Sequence, residues 1–165
     1  MRQYALITGS YWAFTLTDGA LRMLVVLYFH ELGYSPLDIA LLFLFYELFG
    51  VVTNLLGGWL AARAGLAVTL IGGLFLQVIA LSMLLVDASY LSGGYVMVAQ
   101  ALSGIAKDLN KMGAKSSVKL VAGNSQGRLY RWVAWLTGST HALKGVGFFA
   151  GGAGLASIGF SASIA

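Results

Sequence analysis

Residues 66–86 contain no charged side chain, and Gln77 is their most polar long one. About 20 consecutive apolar residues cross the hydrocarbon core of a bilayer as a helix. Other long apolar runs lie on both sides, and five spans are predicted at about 4–29, 37–62, 66–86, 95–118 and 132–160. The charged fraction agrees: 10% here, against about 25% in an ordinary soluble domain. Proline occurs once and glycine 22 times, as suits closely packed membrane helices. The sequence predicts an all-α integral membrane protein of about five transmembrane helices, a single transmembrane domain over residues 1–165.

The connections between spans are short. Ser35-Pro36-Leu37-Asp38 reads as a helix start, with Ser35 as cap, Pro36 first and Asp38 in the first turn. Gly57 to Gly65 is a tight connection carrying Arg63, Asp87 to Gly94 a loop without Lys or Arg, and Val121 to Arg131 a loop rich in small and basic residues. With the N-terminus cytoplasmic, Arg2, Arg63, Lys115, Lys119, Arg128 and Arg131 fall on the inner side, and the outer loops hold no Lys or Arg. The positive-inside rule therefore favours that orientation in the cell's inner (plasma) membrane. No cleavable signal peptide is visible in the first apolar run, which is long and carries charges.

Ionisable groups at membrane depth cost about 2.5–3.5 kcal/mol each even on lenient insertion scales. This chain has Asp18, Arg22, Glu47, Lys107, Asp108, Lys111 and Lys144 there. At helical periodicity they fall into stripes. Tyr11, Thr15, Asp18 and Arg22 share a face of the first span; Glu47 and Asn54 share one of the second. Gln100, Gly104, Lys107, Asp108, Lys111, Lys115 and Lys119 form a stripe on the fourth, and Thr137, Thr140, His141 and Lys144 one on the fifth. Two uses stay open. The charges can pair, Asp18 with Arg22 and Asp108 with Lys111, and hold the bundle together. They can also line a wet cavity, with the uncharged third span facing lipid.

Three acids against four bases leave at least one cation without a partner, which suits an anionic solute. Arg22, Lys107, Lys111, His141 and Lys144 are the candidate binding residues. Lys115 and Lys119 read instead as inner-surface anchors. Asp18, Glu47 and Asp108 are candidates for proton coupling or ion pairing. Glu47 has no nearby base in sequence; burial would raise its pKa and make it a proton carrier, unless it is hydrogen-bonded to a neighbouring helix.

An enzyme is not indicated. The sequence has no metal-ligand spacing, Walker loop or nucleophile elbow, so no cofactor or metal is expected. Without cysteine there are no disulfides and no thiol chemistry. Nucleic acid is not an expected partner, because the bases behind the +4 net charge are spread along apolar segments and one short loop.

Gly58-Trp-Leu-Ala-Ala-Arg-Ala-Gly65 resembles the loop motif of the major facilitator superfamily, G-x-x-x-D-R-x-G. Gly58, Arg63 and Gly65 match, and Ala62 replaces the Asp. Gly138, Gly147 and Gly151 match part of the glycine pattern of antiporter members, with Gly152 in place of its proline. Three stretches are more specific: 11–24, 101–112, and Gly127-Arg-Leu-Tyr130 with Leu143-Lys-Gly-Val-Gly-Phe-Phe149. Together they resemble the organoarsenical efflux permeases (ArsJ-type) of that superfamily. The resemblance implies a secondary transporter that exports arsenylated 3-phosphoglycerate, an organic anion, and so confers arsenate resistance. Proton antiport is the expected coupling. It also implies twelve spans built from inverted three-helix repeats, with the first and fourth lining the cavity and the third peripheral. Five spans are then an incomplete N-terminal half, which requires a C-terminal half for transport.

Two alternatives remain on sequence grounds. One is a complete small membrane protein that oligomerises into a pore, with the glycine-rich face at 145–154 as its contact. The other is a structural membrane subunit whose charges serve only as interhelical glue.

Overall fold

The computed structural model describes residues 2–86, 88–122 and 126–164. Side chains of Arg2, Lys119 and Arg128, expected on the inner side, lie outside the described ones, as do Asp87 and residues 123–125. The chain is helical, with no strand among the described residues: α1 Arg2–Glu31, α2 Pro36–Leu42, α3 Leu44–Ala64, α4 Leu66–Leu84, α5 Gly93–Ala122, α6 Gln126–Ile158 and α7 Phe160–Ile164. A single 3-10 turn, Ala88–Tyr90, precedes α5. Among the described residues, three stretches are long and apolar enough to cross a membrane: Ala5–Glu31, Pro36–Ala64 and Leu66–Leu84. The protein is thus all-α and, by these helices, membrane-embedded.

Local chemistry accounts for the element boundaries. Ser35 Oγ accepts from the Asp38 N–H at 3.3 Å and Asp38 returns the contact to the Ser35 N–H at 3.2 Å, with Pro36 opening the helix. The cap, the proline and the acidic first turn are as expected, and the return contact from Asp38 completes a capping box. Gly65 turns α3 into α4 at φ +90°, where a side chain would be strained. The second span is not continuous as expected. It tightens at Phe43, whose N–H bonds the Ala40 carbonyl three residues back, and α3 restarts at Leu44. The loop expected over 121–131 is also shorter, since 121–122 belong to α5 and 126–131 to α6. At 1.5 Å per residue these helices of 30 and 33 residues run about 45–50 Å, beyond a hydrocarbon core of about 30 Å. Neither helix is among the stretches apolar enough to span by hydropathy, although a fourth and a fifth span are expected there.

α5 is the central helix. It packs against α3 and α4 and touches α1 and α6, while α1 and α6 form the other major pair. Small residues set the close approaches. A side chain at Gly104 would run into the Tyr46 backbone, and one at Gly151 into the Ala20 backbone. The glycine-rich face of α6 is therefore spent, at Gly147 and Gly151, on α1 of the same chain rather than left as a subunit contact. Two apolar clusters close the bundle. Leu21, Leu24, Val25 and Phe29 pack with Ile39, Leu42, Leu84, Val96 and Phe160 at one end. Tyr11, Leu70, Ala114, Val118 and Leu136 pack at the other.

The outer surface is apolar where a soluble protein would be polar. On α4, Val68, Ile71, Phe75 and Val78 are exposed, while Gln77 turns inward and accepts from Ser103 Oγ at 2.9 Å. That inversion suits a hydrocarbon surround.

Gly104→Ala should lower stability by about 1–3 kcal/mol, because the new methyl meets backbone that cannot move aside. Gly138→Ala, where nothing lies within 4 Å, should be neutral or stabilising by up to about 1 kcal/mol through helix propensity. Denaturant unfolding in detergent micelles compares the two.

Candidate functional site

Between the apolar clusters lies a layer of charge contributed by four helices. Asp18 and Arg22 come from α1, Tyr46 and Glu47 from α3, Lys107, Asp108 and Lys111 from α5, and Lys144 from α6. Helical spacing places Asp18 and Arg22 on one face of α1, and Lys107, Asp108 and Lys111 on one face of α5. Tyr46 is brought in by a stripe of buried residues on α3: Tyr46, Gly50, Thr53 and Gly57. The two glycines let α5 close in, with Gly50 against Asp108 and Gly57 against Met112.

The ion pairs differ from those that sequence adjacency suggests. Asp18 does not pair with Arg22. Its Oδ1 accepts from the Tyr46 hydroxyl at 2.6 Å, and its Oδ2 lies 3.8 Å from Lys144 Nζ. Arg22 instead donates to Glu47 Oε1, with Lys107 Nζ 3.6 Å from Glu47 Oε2. Asp108 and Lys111 pair at 3.5 Å as expected. Lys107 Nζ is also 3.9 Å from Asp108. Arg22 and Lys107 both lie over the Tyr46 ring, each 4.2 Å from its centroid, a distance at which the ring face attracts cations.

Two expectations are corrected. None of the four bases counted at membrane depth is left alone: Lys107 bridges two carboxylates, so each of Arg22, Lys107, Lys111 and Lys144 has an acid within 4 Å. Carboxylates have two oxygens and can be shared, which counting acids against bases ignores. Glu47 is not a buried, solitary carboxyl either. Its side chain is 60% exposed and sits between two cations, so it is neither enclosed nor without a partner. The inward face of α3 is the one through Tyr46, a residue away from the Glu47–Asn54 face.

A cavity of about 200 Å³ opens beside this layer, lined by Asp18, Lys107, Lys111, Lys115, His141 and Lys144 together with Tyr11, Thr15, Thr137 and Thr140. The structure thus brings four of the five expected binding residues together. Arg22 is the exception; it borders a separate apolar groove with Met23, Val26, Phe43 and Phe148. Lys115, read from sequence as a surface anchor, belongs to the lining. Asp108 sits beneath the lysines, and Glu47 lies outside the lining.

Two contributors escaped sequence reasoning. Tyr46 carries no charge, and its only signal was the i, i+4, i+7, i+11 run of Tyr46, Gly50, Thr53 and Gly57. Lys115 continues the Lys107–Lys111 step by four residues, a signal that was present. The superfamily-like connection lies elsewhere. Arg63 is exposed over the Trp59 ring at 5.0 Å, Gly58 faces open space and Gly65 makes the turn. None of the three lines the cavity.

Chemically, four ammonium groups and an imidazole converge on a small space that contains one carboxylate. Ammonium groups are mobile point charges that bind oxyanions without demanding a fixed fork. The hydroxyls of Tyr11 and Thr137 add donors, whereas those of Thr15 and Thr140 donate to carbonyls of their own helices and leave the cavity only acceptor lone pairs. Comparison with known protein families, curated proteins and solved structures finds no match.

Asp108→Ala should destabilise by about 1.5–3 kcal/mol, because it removes a buried carboxylate while Lys107 keeps Glu47 and Lys111 is partly exposed. Glu47→Gln, at an exposed pair, should cost no more than about 1 kcal/mol. Unfolding of both variants in micelles checks the contrast.

Proposed function

We propose that this chain is the anion-binding part of a secondary membrane transporter that exports a small organic anion. The observation that carries this reading is the cavity whose lining holds Lys107, Lys111, Lys115, His141 and Lys144 against the single carboxylate of Asp18. Its volume of about 200 Å³ is below the 300–1,000 Å³ typical of drug-sized ligands. A compact, highly charged solute fits that combination better than a large amphiphile. Position supports the reading too. The charged layer lies between two apolar clusters, near the middle of the spans, where transporters hold their solutes.

The finer identification rests on the sequence resemblance. It makes the chain the N-terminal portion of an organoarsenical efflux permease of the major facilitator superfamily, with arsenylated 3-phosphoglycerate as solute and arsenate resistance as outcome. Proton antiport and the need for a C-terminal half belong to the same proposal. The contributions of α1 and α5 to the cavity, and the absence of any from α4, agree with the roles that resemblance gives the first, fourth and third spans. With Glu47 held between Arg22 and Lys107, Asp18 is the one of the three expected coupling or pairing residues that lines the cavity.

The reading of the charges as glue retains part of the layer. Arg22–Glu47 ties α1 to α3, and Asp108–Lys111 braces α5. Glue alone does not account for Lys115 and His141, which line the cavity.

Lys111→Gln combined with Lys115→Gln should abolish arsenate resistance in cells expressing the transporter, and should cut uptake of arsenylated 3-phosphoglycerate into everted vesicles at least about tenfold, the loss expected on removing charge-assisted contacts. Membrane abundance, followed by immunoblot, should hold. Unchanged export, or loss of the protein from the membrane in proportion to loss of export, would sink the cavity reading.

A further inference from the structure

Among the described residues Asp18 is the only carboxylate in the cavity lining, and its two oxygens are treated differently. Oδ1 accepts from the Tyr46 hydroxyl at 2.6 Å, a short contact of two fully enclosed groups. Oδ2 faces Lys144 Nζ at 3.8 Å, too far for a hydrogen bond. Burial is just as unequal. The side chain of Asp18 is 3% exposed and that of Lys144 is 30% exposed, toward the cavity. The backbone at this level is fixed, since the Lys144 carbonyl packs against Gly19 closely enough to exclude a methyl group. Of this pair, the Lys144 side chain is the one exposed enough to change partner.

We propose that Tyr46 is a positioning residue for the cavity. By holding Asp18 through Oδ1, it keeps the carboxylate a loose, displaceable counter-ion for Lys144. This rests on the anion-binding reading and deepens it. In the empty cavity Asp18 offsets the Lys144 charge, which would otherwise stand unpaired at membrane depth. An entering oxyanion offers Lys144 a closer partner, and the ammonium turns from Asp18 to the solute while Tyr46 retains the carboxylate. The charge left on Asp18 stays satisfied because a hydrogen bond from a phenol stabilises it. The same ring carries Arg22 and Lys107 on its π system, which fixes Tyr46 independently of its hydroxyl. Solutes with several anionic oxygens are favoured, because one must hold Lys144 while others meet Lys111 and Lys115.

The test is a double-mutant cycle on the intact transporter with two readouts. Tyr46→Phe keeps the ring and its cation contacts but frees Asp18, which should close on Lys144. Asp18→Asn removes the counter-ion. The first readout is the acylation rate of Lys144 by an amine-reactive reagent, followed by mass spectrometry. Tyr46→Phe should slow it about tenfold, the worth of a hydrogen bond to a charged group. Asp18→Asn should speed it, and adding Tyr46→Phe to Asp18→Asn should change nothing more. The second readout is the affinity for 3-phosphoglycerate, which should move in the same direction in each variant. If Tyr46→Phe has the same effect with and without the Asp18 carboxylate, Tyr46 acts only as packing and the proposal falls. If Lys144 follows the cycle but no variant binds 3-phosphoglycerate, the positioning role stands and the anion reading fails.

Discussion

Asp18 and Asp108 are almost wholly enclosed, in a chain whose outer surface is lined by Leu, Val, Ile and Phe. A carboxylate in that position is stable only if its charge is met by partners held in place. Much of the bundle can be traced to that requirement. Asp108 needs α5 rotated so that Lys107 and Lys111 flank it, and needs Gly50 opposite, because any side chain there would occupy the carboxylate's place. Asp18 needs Tyr46, so α3 must present its Tyr46–Gly50–Thr53–Gly57 face to α5 and α1. The glycines are therefore part of the electrostatics. They set the interhelical distances at which side chains of modest length reach one another.

The two carboxylates solve the same problem differently. Asp108 is met by lysines of its own helix, so its pairing was legible from spacing alone. The partners of Asp18 come from α3 and α6, 28 residues away for Tyr46 and more than a hundred for Lys144. Sequence adjacency pointed to Arg22, four residues on, and was wrong for a physical reason. An i, i+4 pair is worth a few tenths of a kcal/mol, and a buried phenol hydrogen bond to a carboxylate exceeds it. The α5 stripe, the Ser35 cap and the Gly65 turn could be read because local periodicity or turn chemistry decides them. The rotation of α3 could not be read from its polar residues. Glu47 and Asn54 are its conspicuous polar groups, yet small residues decide which face of a membrane helix packs.

Glu47 also bears on what surrounds the bundle. Its side chain is 60% exposed, yet it shares the layer of Asp18, Lys107 and Arg22. The side chain of Lys111 is 41% exposed and that of Lys144 30%. Charges open to this degree cannot face hydrocarbon; they require water or further protein in front of them. The exposed apolar faces of α3 and α4, with Leu55, Val51, Ile71 and Phe75, meet no such demand and suit lipid. The bundle thus has two kinds of open surface, and only one of them fits acyl chains.

Charge balance carries the same argument to the solute. Arg22, Lys107, Lys111, Lys115 and Lys144 stand against Asp18, Glu47 and Asp108, so five bases share three acids. Lys115 is in none of the ion pairs found among the described residues. A low-dielectric wall concentrates the field of such a surplus within the cavity. Under the proposed anion binding, a bound anion would relieve repulsion among the lysines as well as form new contacts. It follows that the most stabilising substitution at Lys115, an uncharged one that relieves the repulsion, is also the one that should bind the anion worst.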